Sequence, residues 1–260
     1  MNTLHTDTLP RAGYRPWKAY ALEAGYEGLR LLRTPSFALP ALGFPVLFYL
    51  LFGVLLAGGR GGADAARYMM VGYGVFGAIG PALFGFGAGL AIDRERGLLT
   101  LKRALPLPPG ALLGARTASA LAFALVIALM LLAAGTLLGG VRLSAAEAAL
   151  LVAVQVLGTL PFCALGLLIG SLVRGQGAPG VVNLVYLPMS LLSGLWMPLA
   201  MLPEVVQQLA VVWPAYHLGQ LALHVVGMDA GGSVALHLAV LAGTTALCFG
   251  LAARRLRDRG

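Results

Sequence analysis

The stretch Gly89–Leu112, GLAIDRERGLLTLKRALPLPPGAL, decides how the chain is read. Asp93 to Arg103 carries six ionised side chains in eleven residues, and three prolines (Pro106, Pro108 and Pro109) follow at once. Long apolar runs flank it on both sides. A charged, sharply ended segment between such runs is the pattern of a loop joining two membrane helices.

Composition agrees. Of 260 residues, 59% are hydrophobic and 11% are charged, with a mean hydropathy of +0.86. Soluble domains carry about a quarter charged residues, and apolar runs of about twenty residues mark membrane spans. So much apolar surface cannot be hidden inside a soluble fold. Six apolar segments are marked, at roughly 36–57, 67–92, 111–139, 146–171, 178–197 and 233–253. They lack the short alternating pattern of a membrane barrel, so the spans are expected to be helices, which satisfy their own backbone in lipid.

The net charge of +8 could point to nucleic acid, but its distribution points to a membrane surface. With six spans and the N-terminus inside, fifteen of the 18 Lys and Arg fall on the cytoplasmic side. They are Arg11, Arg15, Lys18, Arg30 and Arg33 in the leader, Arg94, Arg96, Lys102, Arg103 and Arg116, then Arg174, and Arg254, Arg255, Arg257 and Arg259 in the tail. Only Arg60, Arg67 and Arg142 fall outside, as the positive-inside rule requires. Both termini are therefore expected in the cytoplasm of a cell whose inner membrane the chain crosses, and no nucleic acid is expected as a partner. Cys163 and Cys248 lie within apolar runs, offering neither a disulfide framework nor metal-ligand spacing. No cleavable signal peptide is expected, because the first 35 residues lack a compact apolar core.

Two regions depart from a plain six-helix count. In the leader (1–35), YRPWKAYALEAGYEGLRLLRTPSF places Trp17, Tyr20, Ala24, Leu31 and Leu32 on one side of a helix. Lys18, Glu23, Glu27 and Arg30 occupy others, and Pro35 ends it, which predicts an amphipathic helix lying in the membrane interface. From Val181 to Met228 the only ordinary charge is Glu204, a run too long for one span. Pro198, Pro203 and Pro214 break it, so a fifth span is expected, followed by short re-entrant helices over 198–228. The transmembrane domain thus runs over 36–253, with a cytoplasmic loop at 93–110 and a basic tail at 254–260. Glycines four apart (Gly85/Gly89, Gly135/Gly139, Gly166/Gly170) fit close helix packing.

Several chemistries are missing. There is no GxxxxGK[ST], HExxH, CxxC or GxSxG. Within the spans no Asp, Glu, Lys or Arg is firmly placed, which weakens ion-coupled transport and intramembrane hydrolysis. In the charged loop, Leu98, Leu101 and Leu105 share one helical stripe, with Arg96, Lys102 and Arg103 on other faces and Asp93 and Glu95 at the N-terminal end. Such a helix suits a partner's groove.

DRERGLLTLKRALPLPPGALLGAR (93–116) resembles the stretch between the second and third spans of type-2 ABC transporter permeases. LPMSLLSGLWMPLAMLPEVVQQLAVVWPAYHLGQ (187–220) resembles the fifth span and extracellular region of the same family. The resemblance implies a half-transporter that pairs with a second copy and binds two copies of a separate ABC ATPase, which holds the ATP and magnesium. It implies no cofactor in this chain. Asp93, Arg94, Glu95, Arg96, Leu98, Leu101, Lys102 and Arg103 would then form a coupling helix seated in the ATPase. Facing the seam and substrate path would be Tyr49, Tyr73, Asn183, Tyr186, Ser190 and Ser193, with Asn183 equally suited to helix-helix hydrogen bonding. Trp196, Met197, Pro198, Trp213 and His217 would form an outer gate, though interfacial tryptophans also serve as anchors. Aromatic residues are 8% of the chain and form no dense belt in the pore spans, which tilts the expectation from polysaccharide export toward efflux of an amphipathic drug, antibiotic or lipid-like metabolite. A polysaccharide- or lipid-exporting ABC permease, an ion-coupled secondary transporter and a membrane assembly or enzyme subunit are the rival readings.

Overall fold

The computed structural model describes residues 16–56, 62–103 and 110–257. Arg11, Arg15, Arg60, Leu105, Pro106, Pro108, Pro109 and Arg259, which entered the reading above, lie outside them. Among the described residues the chain is helical, with no strand.

Helix α1 (Pro16–Leu32) precedes α2 (Pro35–Phe48), which continues as a π-helical segment, Tyr49–Leu56. Helix α3 (Gly62–Leu83) passes through a π turn at Phe84–Ala88 into α4 (Gly89–Glu95), and a short α5 (Leu98–Arg103) follows. Next come α6 (Ala111–Leu137), α7 (Ala145–Leu157) and α8 (Leu160–Leu172). After α9 (Ala178–Leu192) lie the short α10 (Glu204–Leu209), α11 (Pro214–Val225) and the long α12 (Val234–Arg257).

Five continuous helical stretches are long and apolar enough to cross a membrane: Pro35–Leu56, Gly62–Glu95, Ala111–Leu137, Ala145–Leu172 and Val234–Arg255. The second is the hub of the bundle, packing against α2, α6, α8, α9 and α11, while α12 lies on α8 and α11. Glycine permits this closeness: a Cβ on Gly170 would meet the Phe86 carbonyl oxygen at 2.5 Å and that of Gly87 at 2.8 Å. The fourth stretch is divided into α7 and α8 at Gly158–Thr159, where the Leu218 side chain fills the space a Cβ on Gly158 would need.

The predicted 178–197 segment takes a different form. Helix α9 has 15 residues, about 22 Å at 1.5 Å per residue, against a hydrocarbon core of ~30 Å. Its end is a Schellman turn: Gly194 adopts φ +75°, its N–H donates to Leu191 O and the Leu195 N–H donates to Ser190 O. The three prolines beyond it sit at helix starts: Pro198 before a 3-10 turn at Leu199–Met201, Pro203 before α10, and Pro214 in the first turn of α11.

Helix α1 is amphipathic in an unexpected sense. Trp17, Leu22, Tyr26, Leu29 and Leu32 are exposed, while Glu27 is buried against α6. Its acidic side faces the protein and its apolar side faces out.

Candidate functional site

An apolar cleft opens between α2, the α3 hub and α9, with a volume of about 570 Å³. Its walls are mainly rings: Phe37, Phe44 and Phe48 from α2, Phe76 and Phe84 from the hub, Tyr186 from α9 and Trp196 beyond it. Phe76 and Tyr186 stack at 4.8 Å with their planes 9° apart, and Trp196 stands edge-on to Phe76 at 5.6 Å. The expectation that aromatics form no belt is thereby corrected. They are few in the chain, but three separate segments bring seven of them to one cleft.

Polar groups in the walls are sparse. Ser36 and Asn183 are present, and the Tyr186 hydroxyl is committed to the Phe76 carbonyl at 2.9 Å. Trp196 Nε1 is buried with no hydrogen-bond partner among the described residues. Pro40, Pro45 and Pro81 also line the cleft, so its two longest walls are proline-interrupted helices that continue into π segments.

Of the six residues assigned to a substrate path, Asn183 and Tyr186 line this cleft. Tyr73 lies behind the wall, against the Phe48 and Phe76 rings, its hydroxyl 3.4 Å from Trp196 O. Tyr49 is fully buried against Met70, Gly135 and Gly139, away from the cleft. Ser190 Oγ donates to Tyr186 O within its own helix, and Ser193 is buried. Of the five gate residues only Trp196 reaches the cleft. The turn carrying it is fixed to α3: Tyr68 donates to Gly194 O at 2.9 Å, and a Cβ on Gly72 would collide with Leu195 O. Met197 and Pro198 follow at its edge, partly exposed. Trp213 starts α11, and His217 is buried in a different contact. There, His217 Nδ1 lies 2.8 Å from His237 Nδ1 of α12, and His217 Nε2 lies 2.8 Å from Val211 O.

The charged segment is built from the inside outward. Asp93 is 5% exposed and Arg116, in the first turns of α6, is 2% exposed. Arg116 Nη2 donates to Asp93 Oδ2, and Arg116 Nε lies 3.8 Å from Glu27 Oε1. Arg30 donates to both Asp93 oxygens at 3.0 and 3.1 Å and to Glu27 at 3.0 Å. Two acids and two guanidiniums thus form a closed, neutral cluster joining α1, α4 and α6. Asp93 and Arg116 lie near the ends of the long apolar helices Gly62–Glu95 and Ala111–Leu137. They are tolerable because each meets its opposite, and removing one member costs about 3–5 kcal/mol through the charge left behind.

Arg94 donates to Ser171 O at 3.0 Å and Val173 O at 2.7 Å, closing the carbonyl end of α8. Glu95 Oε2 accepts from the Gln176 N–H at 3.1 Å. Lys102 pairs with Glu23 of α1. So Asp93 and Arg94 turn inward and hold the segment in place, whereas Arg96 and Leu101 face out, Leu101 at 63% exposure, with Leu98 half-buried. Arg103 ends α5. Glu23, Glu27, Arg30 and Arg116 are site residues that the sequence reading missed. Arg116 carries a usable signal, a charge six residues into an apolar helix, but its sign also fits a surface anchor.

A hub of long apolar helices around a cleft, with a charged segment clamped at one end, marks a multi-pass membrane protein. The chain matches the family described as "ABC-2 type transporter" over residues 25–226, and it belongs to that family. It is 29% identical over 195 residues to "Putative transport permease YvfS" of Bacillus subtilis (strain 168), covering 74% of this chain and 79% of the relative. The chain is thus a transport permease subunit of an ABC transporter rather than a catalytic domain.

Proposed function

We propose that the chain is one half of the membrane part of an ATP-driven exporter, moving an amphipathic small molecule (a drug, antibiotic or lipid-like metabolite) out across the inner membrane. The aromatic cleft carries this reading. Rings and proline methylenes suit an apolar body, while Ser36 and Asn183 can orient a few polar atoms. The ring density also favours a second reading, export of a polysaccharide or lipid-linked sugar. Sugars need many hydrogen-bonding partners as well as rings, and these walls offer few, so the amphipathic reading stands first.

In this reading α9 with its Schellman turn serves as the fifth of six spans, the broken α10–α11 region is re-entrant, and both termini are cytoplasmic. Two copies of the chain meet across the cleft, where Leu184 and Leu187 of α9 and Phe44 and Leu47 of α2 are exposed. Two ABC ATPase subunits, which supply ATP and magnesium, grip α5 through Arg96, Leu98 and Leu101, held in place by Asp93, Arg94, Glu95 and Lys102, with Arg103 at the end of the helix.

The test is co-purification of the tagged chain with its ATPase, reconstitution in liposomes and transport of a fluorescent amphipathic probe. Probe movement that needs ATP supports the proposal, and so does saturable quenching of Trp196 in a Trp17→Phe/Trp213→Phe background. Movement driven by a proton gradient without ATP, or no saturable quenching, refutes it.

A further inference from the structure

The π turn at Phe84–Ala88 sits between the cleft and the charged cluster, and it is tied to both. The Gly89 N–H bonds Phe84 O, the i+5 spacing of a π turn. Where i+4 spacing resumes beyond it, one carbonyl loses its regular amide, and a buried carbonyl needs another donor. Gly85 O finds one in Arg116 Nη1, at 2.5 Å. The other arm of the same guanidinium holds Asp93, and its Nε faces Glu27. On the opposite side of the turn, Phe84 lines the cleft and meets the Tyr186 ring edge-on at 6.1 Å.

We infer that Arg116 is a positioning residue that carries movement of the coupling segment into the cleft. When α4 and α5 shift, Asp93 shifts the guanidinium, and the guanidinium either holds or releases the Gly85 carbonyl. Held, the π turn keeps Phe84 against Tyr186. Released, the helix can re-register by one residue, which swings Phe84 about the helix axis and changes the cleft wall. Guanidinium is suited to this and ammonium is not, because only a planar fork can serve a carboxylate and a carbonyl at once. The inference rests on the reading of 93–103 as the ATPase-facing segment.

The test uses the assembled transporter in liposomes, with Trp196 as the only tryptophan of the permease chain. Arg116→Lys keeps the charge opposite Asp93 and Glu27 and loses the fork. ATP hydrolysis and probe affinity, read by Trp196 quenching, are expected to stay within roughly twofold of the unmodified protein, while transport per ATP falls on the order of tenfold. The ATP-dependent change in Trp196 fluorescence is expected to disappear with it. If Arg116→Lys does not assemble, Glu27→Gln replaces it. It leaves the arm on Gly85 and loosens the Nε side of the guanidinium, and the same split between hydrolysis and transport is expected. Transport per ATP and the Trp196 response unchanged in an assembled variant overturn the inference. No ATP-dependent transport in the unmodified protein would instead sink the exporter reading itself.

Discussion

Gly170→Ala tests how closely α8 must approach the π turn. Its added Cβ would sit 2.5 Å from Phe86 O and 2.8 Å from Gly87 O, where real Cβ atoms stay beyond 3.0 Å. Both neighbours are backbone oxygens, so no rotamer change relieves the clash and the helices must part by about half an ångström or more. Overpacking of this kind costs about 1–3 kcal/mol, against a gain of up to about 1 kcal/mol for replacing glycine by alanine within a helix. Gly243→Ala in α12 isolates the gain, because nothing lies within 4 Å of the place its Cβ would take. The two variants should therefore differ by about 1–3 kcal/mol, or roughly 5- to 150-fold in the unfolding equilibrium. The assay is heat- or SDS-induced unfolding in detergent micelles, with the folded fraction read by size exclusion. If Gly170→Ala proves as stable as Gly243→Ala, the close approach of α8 to the hub is not what the packing implies.

Arg94→Ala leaves Ser171 O and Val173 O at the end of α8 without their donor, and should cost about 1–3 kcal/mol in the same unfolding assay. Tyr186→Phe removes one hydrogen bond to a carbonyl and leaves the 4.8 Å stack on Phe76, so about 1 kcal/mol of stability should go while probe affinity, read by Trp196 quenching, holds. Ser144→Ala breaks the capping box that Ser144 and Glu147 form at the start of α7, with an expected loss of about 1 kcal/mol and no change in transport. Asp229 has its carboxyl held below the usual range: desolvation pushes it up, but the hydrogen bond and charge of His224 and the backbone hydrogen bonds together outweigh that. Its contribution is therefore complete above the ordinary aspartate range and fades as pH falls through the depressed one. The melting difference between the unmodified protein and Asp229→Asn should shrink as pH falls below about 4.

The long spans were legible because lipid imposes one simple demand, about twenty apolar residues in helical form. The end of α9 was harder to read, since Gly194 and Leu195 look like continuing apolar sequence until the Schellman bonds close. The π turns have no compositional mark, as Phe84–Ala88 reads like any glycine-rich stretch of a span. The cleft was half legible: Tyr186 and Asn183 stood out as polar groups in apolar helices, but phenylalanines in such helices do not. Phe37, Phe44, Phe48, Phe76 and Phe84 signify a site only once the fold brings them together. The ion cluster was hidden for a similar reason: Glu27 and Arg116 are distant in the chain, and each alone is an ordinary interfacial charge.

The orientation of α1 constrains where that cluster can work. A helix that buries Glu27 and exposes Trp17, Tyr26, Leu29 and Leu32 is unfavourable in water, where the opposite face would be chosen. It becomes favourable where the outer phase is itself partly apolar, as at the membrane boundary where the proposed reading sets α1. In that reading Glu27, Arg30, Asp93 and Arg116, which contact one another, share the depth of α1. Glu27, Asp93 and Arg116 are buried and hold one another, whereas Arg30, with its side chain 40% exposed, keeps an alternative partner outside the cluster. A contact that must hold firmly in one state of a transport cycle and yield in another needs that intermediate strength. The inverted face of α1 is what sets the cluster at that depth.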